Sequence, residues 1–174
     1  MADIFFLTRE GLFFSAITGL VIATFSVIIG NKIKPAGGID KSLSGLLYLW
    51  SKSPIFTIFL TIVLGPLLEE IVFRLIGITL LDKFLPLIIA LVLTSVAFGL
   101  AHNQFPLNLI SGIMGVVLGY VYIKHGVVAS FITHGLQNGV VLIHLWFTIL
   151  IKTGFTIKEA ISIFGVSRLM ELIK

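Results

Sequence analysis

The sequence predicts an all-α protein, a polytopic transmembrane helix bundle with about five or six spans. Of its 174 residues, 57% are hydrophobic and only 11% are charged, whereas a soluble domain carries about 25% charged residues. The mean hydropathy is +1.14. Because one helical span needs about 20 apolar residues, a chain of this length accommodates that many spans with short loops. We therefore predict a single integral membrane domain over residues 1–174, surrounded by the lipid bilayer.

Apolar runs separated by polar or turn-forming segments are the predicted spans. They cover residues 11–30, 53–81, 84–101, 106–124 and 127–151. The first run is too long for the core of a signal peptide and no small-residue cleavage site follows it, so we interpret it as a retained span. In the second run, Gly65 and Pro66 predict a kink. In the fourth, the four-residue spacing of Ser111, Gly115 and Gly119 predicts close approach of a helix from the same or another chain.

The last part of the chain is more polar than the spans and predicts a C-terminal amphipathic helix. Thr156 and Glu159 have the spacing of a capping box, and apolar residues follow them at helical spacing. We expect residues 152–174 to lie at the membrane interface, next to a motif-bearing core of about residues 53–151. With five spans, most Lys and Arg residues fall on the side that holds the C-terminus, so the positive-inside rule places this end in the cytoplasm.

Composition also excludes several classes of function. Cysteine is absent, so the chain has no disulfide, no thiol nucleophile and no cysteine-based metal site. The formal net charge of +4 is explained by lysines that flank the spans at an anionic membrane face. We therefore expect no nucleic-acid partner.

Three ionisable residues, Glu69, Glu70 and Arg74, interrupt the second predicted span. A charge at the bilayer centre costs about 2.5–3.5 kcal/mol on insertion scales, and such residues usually face a bundle interior or a water-filled cavity. Glu70 and Arg74 are four residues apart, acid first, the favourable order for an ion pair on a helix. An ion pair that only neutralises charge would account for these two residues. Glu69 remains without a cation, and an acid in that position is a candidate functional group.

Two other predicted spans carry a histidine with a partner four residues away on the same helical face. Phe98 and His102 end the third span, and His134 and Asn138 lie within the fifth. Each pair also has a structural explanation. A histidine at a helix end is often interfacial, and an intramembrane His–Asn pair can serve helix association through hydrogen bonds worth about 1–2 kcal/mol.

The order Glu-Glu-x-x-x-Arg, Phe-x-x-x-His and His-x-x-x-Asn on three apolar segments resembles the CPBP family of intramembrane proteases. This family includes the type II CAAX prenyl endopeptidases, bacterial Abi proteins and bacteriocin-processing or immunity proteins. All motif residues are present without substitution, and the resemblance covers about residues 55–145. It implies an intramembrane endopeptidase of a prokaryotic plasma membrane that acts on a peptide or membrane-protein substrate. The chain is shorter than most members of the family.

The resemblance implies a role for each acidic motif residue. Glu69 would be the general base that activates the attacking water, and Glu70 with Arg74 would hold the site together, or Glu70 would share the role of base. The residues that the resemblance assigns to catalysis are Glu69, Glu70, Arg74, His102, His134 and Asn138.

The histidines leave two mechanisms open. His102 and His134 would either join Glu69 in binding a zinc ion that polarises the water, or bind the water and the oxyanion directly. Asn138 would donate a hydrogen bond to the oxyanion or orient His134. A zinc enzyme and a metal-free, glutamate-dependent enzyme are both compatible with these residues.

The depth of the motif residues sets a condition on the fold. With a rise of 1.5 Å per residue, Glu69 lies about 18 Å, His134 about 12 Å and His102 about 27 Å from the outer ends of their spans. A common site therefore requires a kink, a tilt or an earlier start of the third span. The two other histidines are interpreted as a solvated turn residue, His125, and a packing or interfacial residue, His144.

Two other classes of function also place ionisable residues inside a helix bundle. A transporter or proton-coupled channel would show pseudo-symmetric repeats, and the sequence shows none. A non-catalytic membrane immunity or regulatory scaffold would carry the same motif without hydrolysing a substrate. The sequence leaves the oligomeric state open.

Overall fold

The structure, a computed structural model, describes Phe5 and residues 7–32, 41–102 and 107–153. These residues form helices and their connections, with no strand, so the predicted all-α class is confirmed for the part of the chain that is described. The helices are α1 (Arg9–Lys32), α2 (Lys41–Lys52), α3 (Pro54–Leu81), α4 (Leu87–Ala101) and a last helical stretch, Leu107–Thr153, which Gly126 divides into α5 (107–125) and α6 (127–153). The amphipathic helix predicted within 152–174 lies almost entirely outside the described residues.

Three helices are long and apolar enough to cross a membrane, namely Arg9–Ile29, Pro54–Leu81 and Asn108–Thr148, and Leu87–Ala101 is a shorter apolar helix. Their outward faces carry many exposed large apolar side chains, as expected where lipid surrounds a protein. An integral membrane protein is therefore supported. The finer predictions, about five or six spans with a cytoplasmic C-terminus in one domain, stay predictions.

Helix α1 packs on α6 through small residues spaced four apart. Gly11, Ser15, Gly19 and Ala23 are all buried. A Cβ atom at Gly19 would lie 2.9 Å from the carbonyl oxygen of Thr133, so glycine allows the two backbones to touch there. Between helices in lipid, such close backbone contact supplies the packing energy that the hydrophobic effect supplies in water.

Helix α3 begins with a clear cap and then departs twice from α-helical geometry. The Ser53 hydroxyl accepts a hydrogen bond from the Phe56 N–H, and Pro54 occupies the first turn, where its missing N–H costs nothing. The segments Leu60–Leu64 and Glu70–Ile78 are π-helical. The helical hydrogen bonding thus changes around Gly65 and Pro66, where the sequence predicts a kink, and the bend of the helix axis stays a prediction. Such π segments often occur at functional sites.

Helices α4 and α5 pack closely because glycines on both helices face each other. A Cβ atom at Gly99 would lie 2.5 Å from the Asn108 carbonyl oxygen and 3.0 Å from the Gly112 Cα atom. A Cβ atom at Gly115 would lie 3.0 Å from the Ser95 Cα atom. Gly115, from the predicted small-residue stripe, thus serves packing within the chain.

The chain reverses direction at Gly126, as the sequence predicts for this turn. Its φ of 85° lies in the region that favours glycine. The reversal lets α6 return along α5, so that the Ser130 hydroxyl lies 2.9 Å from the Leu118 carbonyl oxygen. This helical hairpin carries the fifth-span motif residues back toward α3.

We predict opposite effects for two glycine-to-alanine substitutions. Gly99→Ala lowers the free energy of unfolding by about 1–3 kcal/mol, because the added methyl group forces α4 and α5 apart. Gly45→Ala in α2, where a Cβ atom would meet nothing within 4 Å, leaves stability unchanged or raises it by up to about 1 kcal/mol through helix propensity. Thermal unfolding in detergent micelles compares them. Equal effects at the two positions would contradict the close helix contact.

Candidate functional site

Adjacent glutamates on α3 occupy different environments. Glu70 is fully buried, whereas the side chain of Glu69 is 36% exposed. Successive residues of a helix point in different directions, so one carboxylate enters the bundle while its neighbour stays at the edge. The two acids, to which the sequence assigned different roles, thus also differ in their access to the outside.

The Glu70 carboxylate has partners on both oxygens. Its Oε1 lies 3.2 Å from Arg74 Nη1 as an ion pair and 2.8 Å from His134 Nδ1, and its Oε2 lies 2.5 Å from the Ser130 hydroxyl. Arg74, Ser130 and His134 are themselves buried. The predicted pairing of Glu70 with Arg74 is therefore present, and two residues of α6 complete the shell around the carboxylate.

His134 lies between the two acids. Its Nδ1 contacts Glu70, and its Nε2 lies 3.6 Å from Glu69 Oε2. The depth condition set by the sequence is therefore met for Glu69 and His134, since the turn at Gly126 and the π segments of α3 bring them to one level. The separation of 3.6 Å exceeds that of a direct hydrogen bond, and a water molecule could contact both atoms.

Phe98 is the aromatic centre of this cluster. It is buried, and its ring centroid lies 4.3 Å from the Arg74 guanidinium carbon, 5.8 Å from the His134 ring and 4.7 Å from the His102 ring. Phe73 meets it edge to face at 5.3 Å. A guanidinium over an aromatic face is attracted by the ring electrons. Phe98 therefore stabilises the Arg74 charge and contacts both histidines.

His102 lies at the edge of the site. It is exposed and caps the C-terminus of α4. Its Nδ1 donates a hydrogen bond to the carbonyl oxygen of Phe98 at 2.9 Å. No hydrogen bond or ion pair joins His102 to Glu69 or His134 in the described part of the chain. The structure thus brings Glu69, Glu70, Arg74 and His134 into direct contact, and among the described residues His102 contacts this group through the Phe98 ring.

The residues predicted to bind zinc do not assemble into a metal site. Within residues 7–32, 41–102 and 107–153, no group of three or more His, Cys, Asp and Glu side chains could hold a metal ion. Both nitrogens of His134 already face carboxylates, and His102 lies apart. The donor set as arranged does not fit a zinc ion, and metal dependence stays a prediction.

Asn138 contacts the kink of α3 instead of His134. Its Nδ2 donates to the carbonyl oxygen of Thr61 at 3.0 Å. The Gly65 N–H, which an α-helix would direct to Thr61, bonds to Leu60 instead, and the next residue, Pro66, has no N–H. Asn138 thus supplies the donor that the helix withholds from this carbonyl, and ties α6 to the turn that precedes the glutamates.

Sequence reasoning missed two contacts of this site. Ser130 lies four residues before His134, and the same rule that paired His134 with Asn138 would have placed it on the same face. No side chain in the sequence pointed to the Thr61 carbonyl as a hydrogen-bond acceptor. The signal that could have found it is Pro66, because a proline has no N–H and leaves a nearby helical carbonyl without its donor. The other two histidines lie outside the site. The prediction that His125 is a solvated turn residue is wrong, because its ring is half-buried against the Phe14 ring at 4.8 Å. His144 lies 3.4 Å from the Thr148 hydroxyl.

We predict that Asn138 and Pro66 are energetically coupled. Asn138→Ala lowers the free energy of unfolding by about 0.5–1.5 kcal/mol, because it removes the hydrogen bond to a half-buried carbonyl. In a Pro66→Ala background the same change costs less, because the new N–H can bond to Thr61. Thermal unfolding of the four proteins measures the coupling. Asn108→Ala is the control, because the Asn108 side chain accepts a hydrogen bond from the Leu109 N–H of its own helix and, among the described residues, forms no hydrogen bond with Thr61 or Pro66. Additive effects of Asn138→Ala and Pro66→Ala would contradict the assignment.

Comparison with known proteins places this site in a family. The family described as type II CAAX prenyl endopeptidase Rce1-like matches residues 45–140, which include every gathered site residue. The chain is 40% identical over 124 residues to the membrane-embedded CAAX protease MroQ of Staphylococcus aureus (strain USA300). This match covers 67% of the chain and 49% of that protein, so the chain spans about half the length of this curated relative. No solved structure matches it. The chain belongs to the Rce1-like family of type II CAAX prenyl endopeptidases.

Proposed function

We propose that this protein is an intramembrane endopeptidase of a bacterial plasma membrane, which hydrolyses a peptide bond with water activated by Glu69. The observation that supports this most directly is the placement of the His134 imidazole between a buried carboxylate and an accessible one. Family membership supports a peptidase. A charge cluster that served only packing would not need a second acid at the edge of the bundle.

Glu69 is the proposed general base. Its side chain is 36% exposed, and its Oε2 lies 3.6 Å from His134 Nε2, so a water molecule between them would touch both groups. The carboxylate takes a proton from this water as the oxygen attacks the substrate carbonyl carbon. The same proton passes from Glu69 to the amide nitrogen as the C–N bond breaks, which leaves the base ready for another cycle.

His134 is the proposed donor to the oxyanion. Glu70 Oε1 accepts a hydrogen bond from His134 Nδ1–H at 2.8 Å. This hydrogen bond orients the imidazole so that Nε2 faces Glu69. A carboxylate behind an imidazole fixes its orientation. When His134 carries a proton on both ring nitrogens, it donates through Nδ1 to Glu70 and through Nε2 to the place where the oxyanion forms.

The remaining predicted residues act at a distance from this water. Asn138 is a positioning residue that holds the kink of α3 through Thr61. Arg74 neutralises Glu70. His102, exposed at the end of α4, is proposed to contact the substrate. Zinc is a second proposal from the resemblance, and no step is assigned to it because the donors are not gathered.

The substrate is proposed to be a peptide segment of a membrane-associated protein. The relative is named as a CAAX protease, which makes a prenylated CAAX peptide a suitable first probe. A non-catalytic regulatory or immunity scaffold is the alternative. Such a scaffold would require the Glu70–Arg74 pair for stability, and its biological activity would not change when Glu69 is substituted.

We predict that Glu69→Gln lowers the cleavage rate by about 10²–10⁴-fold, because the amide cannot accept the proton of water. The full chain is reconstituted in vesicles with a farnesylated CAAX peptide or with bacterial membrane proteins, and new N-termini are identified by mass spectrometry. Glu10→Gln, an exposed acid near the start of α1, is the matched control and retains full activity. If wild-type protein and Glu69→Gln give the same cleavage products or none, the scaffold is the better description.

We also predict that chelators leave the cleavage rate unchanged. EDTA and 1,10-phenanthroline remove zinc from three-donor sites, and the described residues gather no such site. The rate is measured before and after chelation in the same vesicles, with a zinc metalloprotease as the positive control. A cleavage rate that falls on chelation and recovers when zinc is added would show that a metal activates the attacking water. That result would overturn the role proposed for His134.

A further inference from the structure

Ser130 is a fully buried residue of α6 whose hydroxyl contacts two other helices. Its Oγ lies 2.5 Å from Glu70 Oε2 on α3 and 2.9 Å from the Leu118 carbonyl oxygen on α5. A separation of 2.5 Å between hydroxyl and carboxylate oxygens is within the range of charge-assisted hydrogen bonds. The contact therefore joins α6 directly to the Glu70 carboxylate.

Other buried serines of the bundle use their hydroxyls differently. Ser15 donates to the Gly11 carbonyl oxygen at 2.6 Å and Ser95 to that of Leu91 at 2.7 Å, each four residues earlier on its own helix. For Ser130, the residue four positions earlier is Gly126, where the backbone is not helical. The reversal of the chain thus removes the usual acceptor and frees the hydroxyl for Glu70.

Ser130 and His134 hold opposite sides of one carboxylate. They are four residues apart and share a helical face, so the hydroxyl meets Oε2 while the imidazole meets Oε1. The last torsion of a glutamate side chain is broad and has no sharp preference of its own. A partner on each oxygen is therefore needed to fix the plane of the Glu70 carboxylate, and with it the imidazole.

We propose that Ser130 is a positioning residue of the active site, which fixes the Glu70 carboxylate so that His134 presents Nε2 to Glu69. This inference rests on the proposed function. It adds to the motif residues a hydroxyl that acts through Glu70 and touches neither the substrate nor the attacking water.

The test compares Ser130→Ala with Ser95→Ala, a matched loss of a buried hydroxyl whose hydrogen bond, among the described residues, goes to the Leu91 carbonyl oxygen of its own helix. With the farnesylated CAAX peptide, Ser130→Ala lowers kcat by about 10–100-fold and changes KM little, because it removes a hydrogen bond to a charged group. Ser130→Thr, which keeps the hydroxyl, restores most of the rate. In a Glu70→Gln background, Ser130→Ala has a much smaller effect, as expected for residues that act as a unit.

An infrared measurement tests the same contact without a substrate. The spectrum of the full chain in vesicles minus that of Glu70→Gln isolates the Glu70 carboxylate bands. We expect these bands to shift in Ser130→Ala and to stay in place in Ser95→Ala. Unshifted bands, or a wild-type kcat in Ser130→Ala beside an inactive Glu69→Gln, would overturn the role of Ser130 and leave the proposed function intact. Equal activity of wild type and Glu69→Gln would remove the proposed function, and the infrared shift would then decide only the structural contact.

Discussion

The buried carboxylate of Glu70 is the constraint on which the rest of the structure depends. A charge in an apolar interior is costly unless it is paired and hydrogen-bonded, and here Arg74, His134 and Ser130 supply the partners. Removing one partner from a buried pair costs about 3–5 kcal/mol, because the other charge is left unpaired. Arg74 Nη2 also reaches the Gly115 carbonyl oxygen at 3.4 Å. The charge thus links α3, α5 and α6.

These partners can reach one another only because the backbones come close. Glycines at the α4–α5 contact, such as Gly99, let the helices approach to van der Waals distance. Gly126 turns α6 back along α5, and without that reversal Ser130 and His134 would lie far from α3. The departure of α3 from α-helical geometry at Pro66 leaves the Thr61 carbonyl for Asn138. Irregular backbone and small residues are therefore the means by which the polar cluster is assembled.

The sequence predicted what lies along single helices and missed what lies between them. The four-residue spacing of Glu70 and Arg74 was sufficient to predict their ion pair. The same spacing gave Glu69 no partner on its own helix, and in the structure His134 of α6 lies beside it. The contact of Ser130 with Glu70 depends on the register of two helices, which spacing within one helix does not specify. The two π-helical segments of α3 could not be predicted either, because no periodic pattern in the sequence specifies a change from α-helical to π-helical hydrogen bonding.

The neighbouring acids differ in burial, and this difference supports the separate roles proposed for them. Glu70 has both oxygens occupied and no exposed surface, so it has no room to receive a proton from a substrate-bound water. Glu69 has a side chain that is 36% exposed and one oxygen directed at His134. An acid that is to exchange protons with a bound water must be reachable by it, whereas an acid that orients an imidazole works best when fixed on every side. The resemblance to a protease family allowed Glu70 to share the role of base, and its burial favours the orienting role alone.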